Sequence, residues 1–211
     1  MDSCPLCAGI DFDGQRGAPL SGSPFDQVIR RGPGVVLAPT VGSILPGYLM
    51  AISADHLLSF GMLGSERLRE EIEPWLAERL AELSPVFGEY VVFEHGSAGE
   101  DDRQGGCVAH AHMHLVPAGP DLARGILDGE EWQSVGAFSD IAAFAEAGYA
   151  YLGAAGRSWV LPEPGFPGQW VRRRIASWAG RPDEWDWGVF RGEPQLAETF
   201  ERLGAGGLLE G

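Results

Sequence analysis

His110-Ala111-His112-Met113-His114-Leu115-Val116-Pro117 is the stretch on which the reading of this chain turns. Successive side chains of an extended strand point to opposite faces. All three imidazoles therefore share one side, and Ala111, Met113 and Leu115 share the other and read as core. Three of the five histidines of the 211 residues fall within these five positions. Stacked imidazoles pack poorly and risk mutual charge repulsion, so a same-face triplet points to chemistry before structure. Two chemistries use it: metal ligation by neighbouring imidazoles, and nucleophilic catalysis with one imidazole attacking while its neighbours orient or protonate. A cupin-like metal site wants a carboxylate soon after the pair, but the next acidic residue is Asp121, beyond Pro117-Ala118-Gly119-Pro120. A metal-dependent barrel needs about 250 residues and does not fit.

Composition narrows the function classes. The formal charge is −15, which argues against a general nucleic-acid surface. All 15 basic residues are arginines, which excludes a P-loop lysine and Schiff-base chemistry. No apolar run long enough to span a bilayer is present. Met1-Asp2-Ser3-Cys4-Pro5 has neither the basic region nor the apolar core of a secretory leader, so the expected compartment is the cytoplasm. Three cysteines make no paired framework. Cys4 and Cys7 form a Cys-x-x-Cys pair, open to reading as two incidental thiols or as ligands. The thioredoxin kind of redox pair follows a strand and opens a helix, unlike this one.

Along the chain, residues 1–24 are rich in Gly, Pro and Ser and read as a lead-in. Strands are expected over 26–31, 34–39 and 47–53. A helix is expected over 65–87, from the stripe Leu68, Ile72, Trp75, Leu76, Leu80 and Leu83, with Ser65 as N-cap and Pro74 kinking or splitting it. Paired strands follow over 89–94 and 107–116. The connection between them, 96–106, is either a solvated loop or a rim of the site. Beyond Pro120, a short helix over 139–148, a hairpin of 149–154 with 158–161, a helix over 167–180 and another over 193–203 are expected. Five of the seven tryptophans lie beyond residue 157, so this tail is packed.

Gly105-Gly106-Cys107-Val108-Ala109-His110 through Pro117 resembles the signature of the histidine-triad (HIT) superfamily, His-φ-His-φ-His-φ-φ with φ apolar. Two further segments agree: Met50-Ala51-Ile52-Ser53-Ala54-Asp55-His56-Leu57, a strand running into a histidine before a long helix, and Val91-Val92-Phe93-Glu94-His95-Gly96, the strand that pairs with the triad strand. The likeness covers residues 25–117. It implies an α+β fold: a HIT-like antiparallel sheet, one long helix and a packed C-terminal extension, divided as 1–24, 25–120 and 121–211. It also implies a homodimer.

By the same resemblance, His112 is the nucleophile of a nucleotide hydrolase or nucleotidyltransferase, forming a nucleotidyl-histidine at an α-phosphate. His114 helps place the phosphate, and His110 completes the catalytic set. Histidine at the third position favours the hydrolase-like branches over the phosphorylases and sugar-phosphate nucleotidyltransferases, which tend to carry glutamine there; those remain the alternative activities. Bacterial relatives with structural zinc suggest Cys4, Cys7, His56 and His110 as a closed tetrahedral set. In metal-free relatives His56 and His110 instead bond each other. Gly106 and Cys107 stand where many HIT hydrolases have Gln and then Ser or Thr, and Glu94 stands where many have Asn. Those departures keep open a nucleotide-binding protein with little turnover. Substrate contacts are expected from Cys107, Gly106, His95, Gln169, Arg172 and Arg173. For the run Arg172–Arg174 a solvated helix face is the competing reading.

Overall fold

A computed structural model describes Cys4, Leu6, Cys7 and residues 28–99, 110–162 and 164–209. It contains one antiparallel sheet of eight strands: β1 (Arg30–Gly32), β2 (Val35–Pro39), β3 (Leu49–Ser53), β4 (Tyr90–Gly96), β5 (His112–Pro117), β6 (Gln133–Val135), β7 (Tyr149–Ala154) and β8 (Arg157–Pro162). The order across the sheet is β1-β2-β3-β5-β4-β7-β8-β6. The triad strand β5 lies at the middle. It pairs with β3 through Met50 opposite His114 and Ile52 opposite His112, and with β4 through Phe93 opposite His114. The strands after residue 121 do not form a separate layer: β7 pairs along β4 from Val91 to Gly96 and continues the sheet.

Alternation along β5 works as the spacing predicts. Met113 and Leu115 are fully buried on one face, where they join Leu49, Ala51 and Val92. That face is covered by the long helical segment, which opens as α1 (Ser65–Arg67), widens into a π turn over Leu68–Ile72 and continues as α2 (Glu73–Phe87). Pro74 lies at the start of α2 directly after the π turn, in backbone that stays helical on both sides, so the wider turn takes up the ring and its missing N–H. The expected break is thus realised as a π turn. Ser65 is not the N-cap; that position is held by Gly64, and no side chain caps the helix. Leu68, Ile72, Trp75, Leu76 and Leu83 are buried as the stripe requires.

The opposite face is covered near Val91, Phe93, Val116 and Leu152 by α3 (Pro120–Leu127) and α4 (Trp170–Trp178). Pro120 in the first turn of α3 and its buried Leu122 and Ile126 were legible signals of that unexpected helix. The helix expected over 139–148 is a shorter 3-10 stretch, Phe138–Phe144. α5 (Glu193–Ala205) is tied to the start of β3 by Thr199 Oγ1, which accepts the Gly47 N–H at 2.8 Å. Gly47 has φ +82°, and a Cβ there would lie 2.4 Å from the Phe87 ring. Among the described residues no helix is long and apolar enough to cross a membrane.

Candidate active site and metal centre

Two sites lie along the same side of the sheet. The first is a pocket over β5, β4 and β3, between the sheet and the segment that leads into α4. His112, His114, His95, Phe93 and Met50 form its floor. The register explains this grouping. Met50 and Phe93 flank His114, and His95 follows Phe93 by two, on the same face. Glu94 points the other way and is buried beneath the sheet. The wall comes from the tail: Phe166, Pro167, Gln169, Trp170, Arg172 and Trp187. Phe166 and Trp170 stack at 3.8 Å, 3° from parallel.

His112 is oriented by its own strand. Its Nδ1–H donates to the His110 carbonyl at 2.7 Å, so the neutral ring leaves Nε2 with a lone pair. Burial lowers its basicity, and His110 and His95 lower it further, against the opposing effect of the hydrogen bond. His114 is held well below the usual histidine range, first by burial and then by His112 and Arg172. Its Nδ1 meets the Tyr48 hydroxyl at 3.0 Å. The two rings, 5.0 Å apart between centroids, are thus both kept neutral at pH 7, the state an imidazole nucleophile requires.

His110 faces a different task. It is buried just before β5, and its Nε2–H donates to the Ser53 carbonyl at 2.8 Å. That leaves Nδ1 bare, 3.5 Å from Cys4 Sγ and 3.4 Å from Cys7 Sγ. His56 Nδ1 is 3.1 Å from Cys7 Sγ. The ligand atoms of Cys4, Cys7, His56 and His110 all lie within 4.8 Å of one another, and the four could hold a metal ion. A tetrahedral ion with the usual metal–sulfur and metal–nitrogen lengths sets S···N edges of about 3.5 Å, close to those seen. The His110–Ser53 bond is the outer contact that fixes a ligating tautomer. Burial and the neighbouring Cys4 push the Cys7 thiol up to about 11, so binding of a cation would expel a proton there. His56 and His110 meet edge-on at 5.1 Å.

The remaining expected residues separate. Gly106 and Cys107 lie outside the described residues, as does the acidic stretch Glu100–Arg103. His95 and Gln169 line the pocket. Gln169 adopts a left-handed conformation, φ 58°, just before α4, and its Oε1 accepts the Trp187 N–H at 3.5 Å. The arginine run divides three ways. Arg172 is buried against the pocket, with Nε donating to the Trp185 carbonyl at 2.7 Å and Nη2 to the Gly42 carbonyl at 2.5 Å. Arg173 is exposed and lies 3.3 Å from the Trp185 ring centroid. Arg174 Nη1 donates to the Gly125 carbonyl at 3.0 Å. Gly42 shows how closely this corner is packed. It has φ +69°, and a Cβ would come within 2.7 Å of the Phe190 carbonyl oxygen and Trp187.

Sequence reasoning missed Tyr48 and the aromatic wall. The tryptophan density of the tail was the available signal for the wall. No local pattern marks Tyr48, whose partner is 66 residues away. No protein-family model matches the chain, and no curated protein matches it.

Proposed function

We propose that the chain is a HIT-like nucleotide hydrolase or nucleotidyltransferase that acts at an α-phosphate through His112. The observation that carries this reading is the His112 Nδ1–H bond to the His110 carbonyl, which leaves a bare Nε2 in a pocket. In the proposed reaction the Nε2 lone pair forms a bond to phosphorus. The bond from phosphorus to the leaving group breaks, and its electron pair departs on the leaving group, which takes up a proton. Water or another acceptor then displaces His112 and releases the nucleotide product. Dividing the displacement this way replaces one difficult step by two easier ones. The aromatic wall gives a flat base an apolar surface on which to stack.

Zinc is the ion proposed for Cys4, Cys7, His56 and His110. Two thiolates and two imidazoles make a closed donor set, which suits a structural ion and leaves no open position for substrate. When bound, it would supply a cross-link between the N-terminal segment, the turn after β3 and the start of β5. Homodimerisation, which the family resemblance implies, also stays within this proposal. The outer edge of β4 is taken by β7, so a second copy would have to use another surface.

The test is incubation with a nucleotide labelled at the α-phosphate. An acid-labile, base-stable protein adduct is expected, lost in His112→Asn together with turnover, by about 10³-fold or more. Asparagine preserves size and hydrogen bonding, so nucleotide affinity should persist. Product formed with phosphate or a sugar phosphate as acceptor would assign the transferase branch. Near-normal turnover by His112→Asn, or tight binding with neither adduct nor turnover, would overturn the reading.

A further inference from the structure

Tyr48 directly precedes β3 and is fully buried, yet its hydroxyl lies 3.0 Å from His114 Nδ1. The rings meet edge-on at 5.7 Å. Arg172 reaches the same phenol from α4. Its guanidinium carbon is 5.7 Å from the Tyr48 ring centroid; burial raises the phenol above its ordinary range, and the Arg172 charge opposes that. Arg172 itself cannot shift: it is 4% exposed, and two of its nitrogens hold the carbonyls of Trp185 and Gly42.

The direction of the Tyr48–His114 bond follows from donor chemistry. A phenol O–H is a stronger acid than a neutral imidazole N–H, and the bare imidazole nitrogen is a stronger base than a phenol oxygen, so in this pair Tyr48 donates and His114 Nδ1 accepts. An imidazole nitrogen that accepts a hydrogen bond carries no proton. Burial and the nearby Arg172 charge keep His114 neutral, so its single proton sits on Nε2.

We infer that Tyr48 is a positioning residue that fixes His114 as an Nε2–H donor in the pocket, opposite in role to His112, whose Nε2 is bare. This inference rests on the proposed reaction for its consequence. One imidazole offers a lone pair to phosphorus, while its neighbour offers a proton to an acceptor atom of the same substrate, a phosphoryl oxygen or the leaving atom. A carbonyl of the same chain segment holds one ring and the Tyr48 hydroxyl holds the other, and the two bonds give them opposite tautomers. The substrate group beside His114 must accordingly be a hydrogen-bond acceptor.

The tautomer is read from the whole chain by two-bond proton–nitrogen NMR with labelled histidine at pH 7, His114 being assigned by its loss in His114→Asn. Unsubstituted protein should show His114 with Nε2 protonated and Nδ1 bare. In Tyr48→Phe the Nδ1 resonance should move downfield as it loses its donor. Turnover number should fall by about tenfold, roughly 1.4 kcal/mol, with KM within about twofold. A protonated Nδ1 in the unsubstituted protein, or an unmoved Nδ1 resonance in Tyr48→Phe, would refute the inference. A moved resonance with unchanged turnover number would remove its part in catalysis. If no nucleotide is turned over at all, the proposed reaction falls and the NMR arm alone decides the tautomer.

Discussion

Glu94 adjoins the pocket in sequence but serves the other face of the sheet. Its carboxyl is fully buried, accepting the Phe60 N–H at 2.7 Å through Oε1 and the Tyr149 hydroxyl at 2.6 Å through Oε2. Burial outweighs these two bonds and raises it from 4.5 to about 7. Between those values the folded protein holds a proton that the unfolded chain has released. Stability is therefore full below about pH 4.5 for this group, falls as pH rises through about 7, and levels off above. Glu94→Gln keeps a carbonyl for Phe60 and replaces the titrating oxygen by an amide. Chemical denaturation across pH 4.5–8 should show that this change removes a decline on the order of 2–3 kcal/mol. A decline equally steep in both proteins would show that Glu94 does not titrate in this range. At the same scale the alternation of His112, Met113, His114 and Leu115 was legible, because strand geometry is local. The Ser53 carbonyl beside His110 and the Tyr48 hydroxyl beside His114 were not, because they come from distant segments, and the cysteines beside His110 were expected only through the family resemblance.

Among the elements, α4 shows why charge pattern alone misleads. Arg172, Arg173 and Arg174 are consecutive, so a helix points them about 100° apart, and each meets a different environment. Arg172 turns inward and ties α4 to the corner holding Gly42 and Trp185. Arg173 lies against Trp185 in solvent, and Arg174 reaches α3. Arg172→Ala would leave two buried carbonyls without their donor and should cost about 2–4 kcal/mol, whereas Arg173→Ala should cost less than about 1 kcal/mol. Thermal or denaturant unfolding of the separate variants checks this ordering. Equal, small losses would assign the run to solvent. The helices themselves were readable where apolar period and proline position agreed, as over 65–87. In α3 the proline position is the clearer signal, since eight residues carry only about two turns of apolar period. The π turn at Leu68–Ile72 has no pattern of its own; it is where the chain accommodates the first turn of α2 around Pro74.

For the molecule as a whole, the arrangement that matters is how far-separated segments close the pocket. Strand order is not written in any local stretch. β5 inserts between β3 and β4, and β7 closes β4, because those placements bury both faces of the central strands. The N-terminal segment then completes the site. Leu6 is 6% exposed, packs with Val36, Ala38, Met50 and Ile52, and forms part of the pocket wall. It lies between Cys4 and Cys7, the two cysteines of the proposed zinc site. An ion there would link residues 49 to 106 positions apart in sequence, restricting the unfolded chain more than the folded one. Purified without chelator, the protein should contain about one zinc per chain. The double change Cys4→Ser, Cys7→Ser should abolish that content and lower the melting temperature. Because Leu6 is held by the same two cysteines, the change should also weaken nucleotide binding more than it slows turnover of bound substrate. Metal-free protein of unaltered melting temperature would dismiss the cross-link. A turnover number that collapses with unchanged affinity would instead place the ion's influence on His112, through the His110 carbonyl that orients it.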